Sequence, residues 1–161
     1  MRSAALILTF GFTAVLLQTT LLRLATFGSV TPDLVLVLAV YLGLHYQQAG
    51  GAAGAFCLGY FLDTFSGANF GVNAFAMTFV FFFVYVLSRR LWIEGRLVNV
   101  LVVLTAALVK ALAIAALLAA SSGSPSGNRV WTDLLSGAMA AALTPAVFGA
   151  VERGKRWMRL A

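Results

Sequence analysis

The sequence predicts an all-α integral membrane protein of six transmembrane helices with both termini on the cytoplasmic side, and three observations predict it. Hydrophobic residues make up 61% of the chain and charged residues only 10%, too little polar surface to clothe a soluble globule. Apolar stretches recur along nearly the whole length with short connections, which leaves one compact transmembrane domain over residues 1–161. Ten of the eleven basic residues collect at the ends of those stretches, mostly on one side.

The first span covers about 3–25, behind Arg2, with Gln18, Thr19 and Thr20 near its outer end. It starts like a signal peptide, but the apolar stretch is longer than an h-region and no small-x-small cleavage site follows, so it reads as a retained helix. Phe27 to Asp33 is a turn and a helix start: Thr31 is the candidate N-cap, Pro32 suits the first turn, and Asp33 favours the positive helix end. The second span, about 31–46, is short, and Gln47 to Gly51 separate it from the third, about 49–65. Ser66 to Asn69 turns into the fourth, about 70–87, whose Phe79, Phe81, Phe82 and Phe83 form a bulky lipid-facing or packing surface. Ser88 to Arg96 is the most charged internal loop, with Trp92 as an interface anchor. The fifth span, about 97–120, leads into Ser121 to Asn128, which has loop chemistry throughout. The sixth, about 130–151, is followed by a basic, tryptophan-anchored surface segment, Glu152 to Arg159.

Six spans with the N-terminus inside place Arg2, Arg89, Arg90, Arg96, Arg153, Lys155, Arg156 and Arg159 on the inner side, Arg23 and Arg129 outside, and Lys110 within the membrane. Fusing spans two and three scores equally on charge. Residues 31–65 as one helix would however be about 52 Å long, against a hydrocarbon core of about 30 Å, and this decides for six.

Small residues and a single carboxylate mark the third span. Gly51, Ala55, Gly59 and Asp63 are four apart and share one helix face, a stripe that lets a partner helix approach closely. Ala107, Ala111, Ala115 and Ala119 form a second such seam on the fifth span. Asp63 is either a hydrated group at the outer helix end or an internal polar contact. Lys110 lies midway along its span, where an unpaired ammonium would cost about 3 kcal/mol or more. Counted from the cytoplasmic ends, Asp63 and Lys110 both lie about 20 Å deep, so an Asp63 to Lys110 pair is the expected polar centre. The other reading has Lys110 snorkelling or facing a wet cavity.

The net charge of +6 comes without a basic domain to hold a duplex, so nucleic acid is excluded as a partner and membrane lipid headgroups meet the basic ends instead. Cys57, the one cysteine, reads as a small buried hydrophobe, and His45 as an interfacial histidine. There is no catalytic constellation, no cluster of metal ligands and no cofactor motif, so the chain is not expected to be an enzyme.

Pro32 to Leu38 with Tyr41-Leu42-Gly43-Leu44, then Gly54 to Gly59 leading into Phe61-Leu62-Asp63-Thr64-Phe65-Ser66-Gly67, then Gly71-Val72-Asn73-Ala74, resembles the rod shape-determining protein MreD family. The motifs follow that family's order over residues 32–75, and length and hydropathy agree elsewhere. Asn69-Phe70 departs from it, where many members carry a proline-containing turn. The resemblance singles out Pro32, Asp33, Gly67, Gly71 and Asn73 as the motif turns. It implies a bacterial inner-membrane scaffold without catalytic activity, belonging to the elongation machinery that guides lateral peptidoglycan synthesis. The implied partner is an MreC-like protein, with MreB, RodA and a class B penicillin-binding protein in the wider assembly, while homo-oligomerisation is left open. Arg89, Arg90, Arg96, Arg153, Lys155, Arg156 and Arg159 would present a basic surface to cytoplasmic components. The architecture also resembles the six-helix substrate-binding subunits of energy-coupling-factor vitamin transporters, which keeps such a subunit as the alternative function.

Overall fold

Leu34 to Leu44 has no polar face, and in the computed structural model it becomes the centre of the molecule. The structure describes residues 11, 13, 32–46, 49–66, 71–90, 95–122 and 127–159. Among these are five helices: α1 (Leu34–His45), α2 (Ala49–Ser66), α3 (Val72–Arg90), α4 (Arg96–Ser122) and α5 (Gly127–Arg159). Of the first expected span, 3–25, only Gly11 and Thr13 are described, and Thr31 and Gly67 lie outside the described residues.

Every residue of α1 from Val35 to Gly43 is buried. A helix apolar all round must be surrounded, and α1 packs against each of the other four. At 12 residues it is about 18 Å long, too short to cross a hydrocarbon core of about 30 Å. The second expected span is therefore a core helix. Its N-cap is Asp33 rather than the expected Thr31, with Oδ1 accepting from Leu36 N at 3.0 Å. It ends where the Tyr46 N–H donates to Leu42 O at 2.8 Å.

Two hairpins enclose α1. The α2–α3 hairpin is closed by small residues: the face with Gly51, Ala55 and Gly59 turns to α3, whose Phe81 ring lies over Gly51. The phenylalanine cluster of α3 accordingly splits, with Phe81 in the core, Phe83 half-buried, and Phe79 and Phe82 exposed. In the α4–α5 hairpin, Ala107 sits against Gly137.

Among the described residues, three helical stretches are long and apolar enough to cross a membrane: Val72–Arg90, Leu97–Leu117 and Trp131–Gly154. Apart from Thr105 and Thr132 and the charged ends at Arg89, Arg90, Glu152 and Arg153, their exposed residues are apolar too. Leu97, Leu101, Leu104, Leu108 and Leu112 line the outside of α4, and Trp131, Leu135, Met139 and Leu143 that of α5, as lipid contact requires.

The tail expected as a surface segment is instead the last turns of α5, which runs unbroken through Arg159. Glu152, Arg153, Lys155, Arg156 and Met158 are strong helix formers, and one glycine among them costs only about 1 kcal/mol. Pro145 stands inside α5 without an N–H for the carbonyl of Ala141, and beside it the Thr144 hydroxyl donates to Ala140 O at 3.2 Å.

Candidate functional site: two buried carboxylates and one lysine

Asp63 stands fourteen residues into α2 and Lys110 fourteen into α4, about 21 Å along each helix. The two groups stand equally far along their own helices, as residue counting expects, but the pair does not form. Lys110 Nζ donates to Asp33 Oδ2, a salt bridge with both side chains buried. Asp33 precedes His45 by twelve residues, about 18 Å along α1. Helix α1 stands between α2 and α4, and its N-terminus therefore reaches Lys110 first. The sequence signal for this was available: a short helix with no polar face is a core helix, and its first residue is then buried.

Both oxygens of Asp33 are engaged, Oδ1 by Leu36 N and Oδ2 by Lys110, and its backbone N–H donates to Ser136 O of α5 at 3.4 Å. One residue thus ties α1 to both helices of the α4–α5 hairpin. A buried charge is tolerated when paired and hydrogen-bonded, and here the positive end of α1 adds to the ammonium.

Asp63, 0% exposed, does the equivalent for α3. Oδ1 accepts from Asn73 N at 3.1 Å and Asn73 Nδ2 at 2.9 Å, and Oδ2 from Gly71 N and Ala74 N, each at 3.0 Å. Three are backbone donors at a helix start, which otherwise lack partners, and the positive helix end completes the site. Gly71 turns the chain into this position with φ +91°, a conformation that glycine adopts without a side-chain clash. Asp63 is thus the internal polar contact and not a hydrated helix end. Among the described residues, no buried side-chain nitrogen or oxygen lacks a partner.

Asp63→Asn replaces one acceptor oxygen by an amide that faces donors. The expected cost is about 3 kcal/mol, read as a lowered melting temperature in detergent with the helical signal kept below the transition.

The small-residue seams expected to receive a partner helix are occupied by the chain itself. Gly51, Ala55 and Gly59 are buried, the two glycines against α3; Ala107 lies against Gly137 and Ala111 is buried, while Ala115 is half-buried. Pro32 is buried just ahead of the α1 cap. The seven residues of the expected basic surface gather at one end. Gly43 near the end of α1 lies against Val84, and His45 and Tyr41 lie against Phe148, their ring centroids 6.1 and 5.0 Å from it. The C-terminal ends of α3 and α5 therefore flank the same end of α1. Arg89, Arg90, Arg153 and Arg156 are exposed there; Arg96 opens α4, and Lys155 and Arg159 lie on the last turns of α5. His45 stacks on Tyr41 at 4.3 Å, with its Nδ1 3.2 Å from Tyr41 O.

No curated protein and no solved structure matches the chain, so the six-helix count and the likeness to energy-coupling-factor subunits rest on the sequence alone. The family model of the rod shape-determining protein MreD matches residues 2–153. That range takes in the Asp33 cap, the Asp63 turn, Lys110 and nearly all the rest, and the chain belongs to the MreD family of rod shape-determining proteins.

Proposed function

We propose that the protein is a non-catalytic membrane scaffold of the bacterial cell-elongation machinery, which binds an MreC-like protein and helps control lateral peptidoglycan synthesis. The family match over residues 2–153 carries this reading. The geometry supports it, because the buried ionic groups join helix to helix: Asp33 holds Lys110, and Asp63 holds the start of α3. MreB, RodA and a class B penicillin-binding protein complete the proposed assembly. In this reading the chain is a single multi-pass domain of the inner membrane, residues 3–25 supply a further crossing, and the basic end faces the cytoplasm. No observation favours the vitamin-transporter subunit.

Co-purification in mild detergent with the MreC-like protein of the same organism tests the proposal. A complex that survives size exclusion is expected. A wild-type chain that melts cooperatively but retains no such partner would overturn it. A bulky residue at Gly59 is unsuited to mapping the contact, because Gly59 faces α3 and the substitution would disturb the fold itself.

A further inference from the structure

The last turns of α3 have the shape of a lipid site. Phe75, Phe79, Phe82 and Val86 follow one another at four-, three- and four-residue spacing, and all are exposed, so they form one outward stripe. Arg89 and Arg90 come three and four residues after Val86, on the same face and also exposed. The guanidinium carbon of Arg89 lies 5.1 Å from the centroid of the Tyr85 ring, which holds that side chain by a cation–π contact. From Arg90 down to Phe79 is about 16 Å along the helix, about half of a 30 Å hydrocarbon core and so the depth of one leaflet.

The surrounding charge is predominantly positive. Arg96, Arg153, Lys155, Arg156 and Arg159 lie on the helix ends at the same side, and the acids of these segments are Glu94 and Glu152. An acidic soluble protein would match the guanidinia but leave the aromatic stripe uncovered. A phospholipid supplies both parts, with its phosphate set above its acyl chain in the same order as the arginines above the stripe.

We propose that Arg89 and Arg90, with the face formed by Phe79, Phe82 and Val86, seat an anionic phospholipid. The headgroup phosphate accepts hydrogen bonds from the guanidinia, and an acyl chain lies along the stripe.

The test is reconstitution of the full chain in nanodiscs holding equal amounts of phosphatidylglycerol and phosphatidylcholine, followed by analysis of the lipid retained after extraction. The lipid composition is symmetric, so the result does not depend on the orientation proposed above. Wild type is expected to retain phosphatidylglycerol at least about fivefold over phosphatidylcholine, the factor that one basic contact supplies. Arg89→Gln/Arg90→Gln should abolish that preference with the melting temperature kept. Arg153→Gln/Arg156→Gln should leave it nearly intact, because the two turns below Glu152 and Arg153 expose only Pro145, Ala146 and Ala150, with Leu143 and Met139 deeper, so an acyl chain finds less contact beside the headgroup than Val86 and Phe82 give it. Inorganic phosphate at matched ionic strength should not displace the lipid. Retention of both lipids in the bulk ratio by wild type overturns the proposal whatever the variants do. Equal loss in the two double variants also overturns it, since diffuse charge would then be the cause, as does displacement by phosphate alone.

Discussion

Lys110→Met is expected to lower stability by about 3 to 5 kcal/mol, and the double change Lys110→Met/Asp33→Asn by much less. Removing one partner of a buried ion pair leaves the other charge without compensation, whereas removing both also removes that desolvation cost. Asp33 would keep its bond from Leu36 N after the single change, but its second oxygen would face a dry site that Lys110 had filled. The size of the coupling identifies the partner. A double-mutant cycle on Asp33 and Lys110, read by thermal unfolding in detergent, should give a coupling above about 2 kcal/mol. The same cycle on Asp63 and Lys110 should be additive within about 0.5 kcal/mol, since the two groups share no partner. Additivity between Asp33 and Lys110 would remove the ion pair from the account of this fold.

Gly59→Ala should be one of the two most damaging single methyl additions on α2, the other being Gly51→Ala, where the added carbon would meet Tyr46 O and the Phe81 ring. At Gly59 the added carbon would stand 2.5 Å from Asn73 O, 2.6 Å from Ala74 Cα and 2.8 Å from Ala74 N. All three are backbone atoms, which cannot swing aside as a side chain can, so α2 and α3 would have to separate. Overpacking of this kind costs about 1 to 3 kcal/mol, and here the strain falls on two of the three residues whose backbone N–H groups Asp63 holds. A loss near or above the upper end is therefore expected, with Gly59→Leu failing to give a cooperatively melting protein. Gly50→Ala is the matched comparison. Nothing lies within 4 Å of the added carbon there, and alanine favours helix over glycine by about 1 kcal/mol, so this variant should melt at or above the wild-type temperature. Equal effects at the two positions would show that propensity rather than contact governs this helix.

The membrane class and most of the helices were legible in the sequence because they follow from local composition. Long apolar runs must be helical in lipid, where the backbone has no water to bond, and four-residue spacing of glycine and alanine must bring small side chains onto one face. The equal distance of Lys110 and Asp63 from the starts of their helices followed from residue counting alone. The motif turn at Gly71 and Asn73 was also visible, although the role of Asp63 as its acceptor was not.

What the tertiary structure decided was which groups meet. Helix α1 could be recognised as apolar all round, but only packing shows that it stands between α2 and α4, and this placement gives Lys110 to Asp33 and leaves Asp63 to the start of α3. The small-residue seams were real, yet their occupants are α3 and α5 of the same chain, because periodicity specifies a close approach without naming the helix that makes it. Depth and face are properties of one helix and are written in its own residues. Partnership depends on the order in which several helices are arranged about α1, which no single stretch of sequence contains.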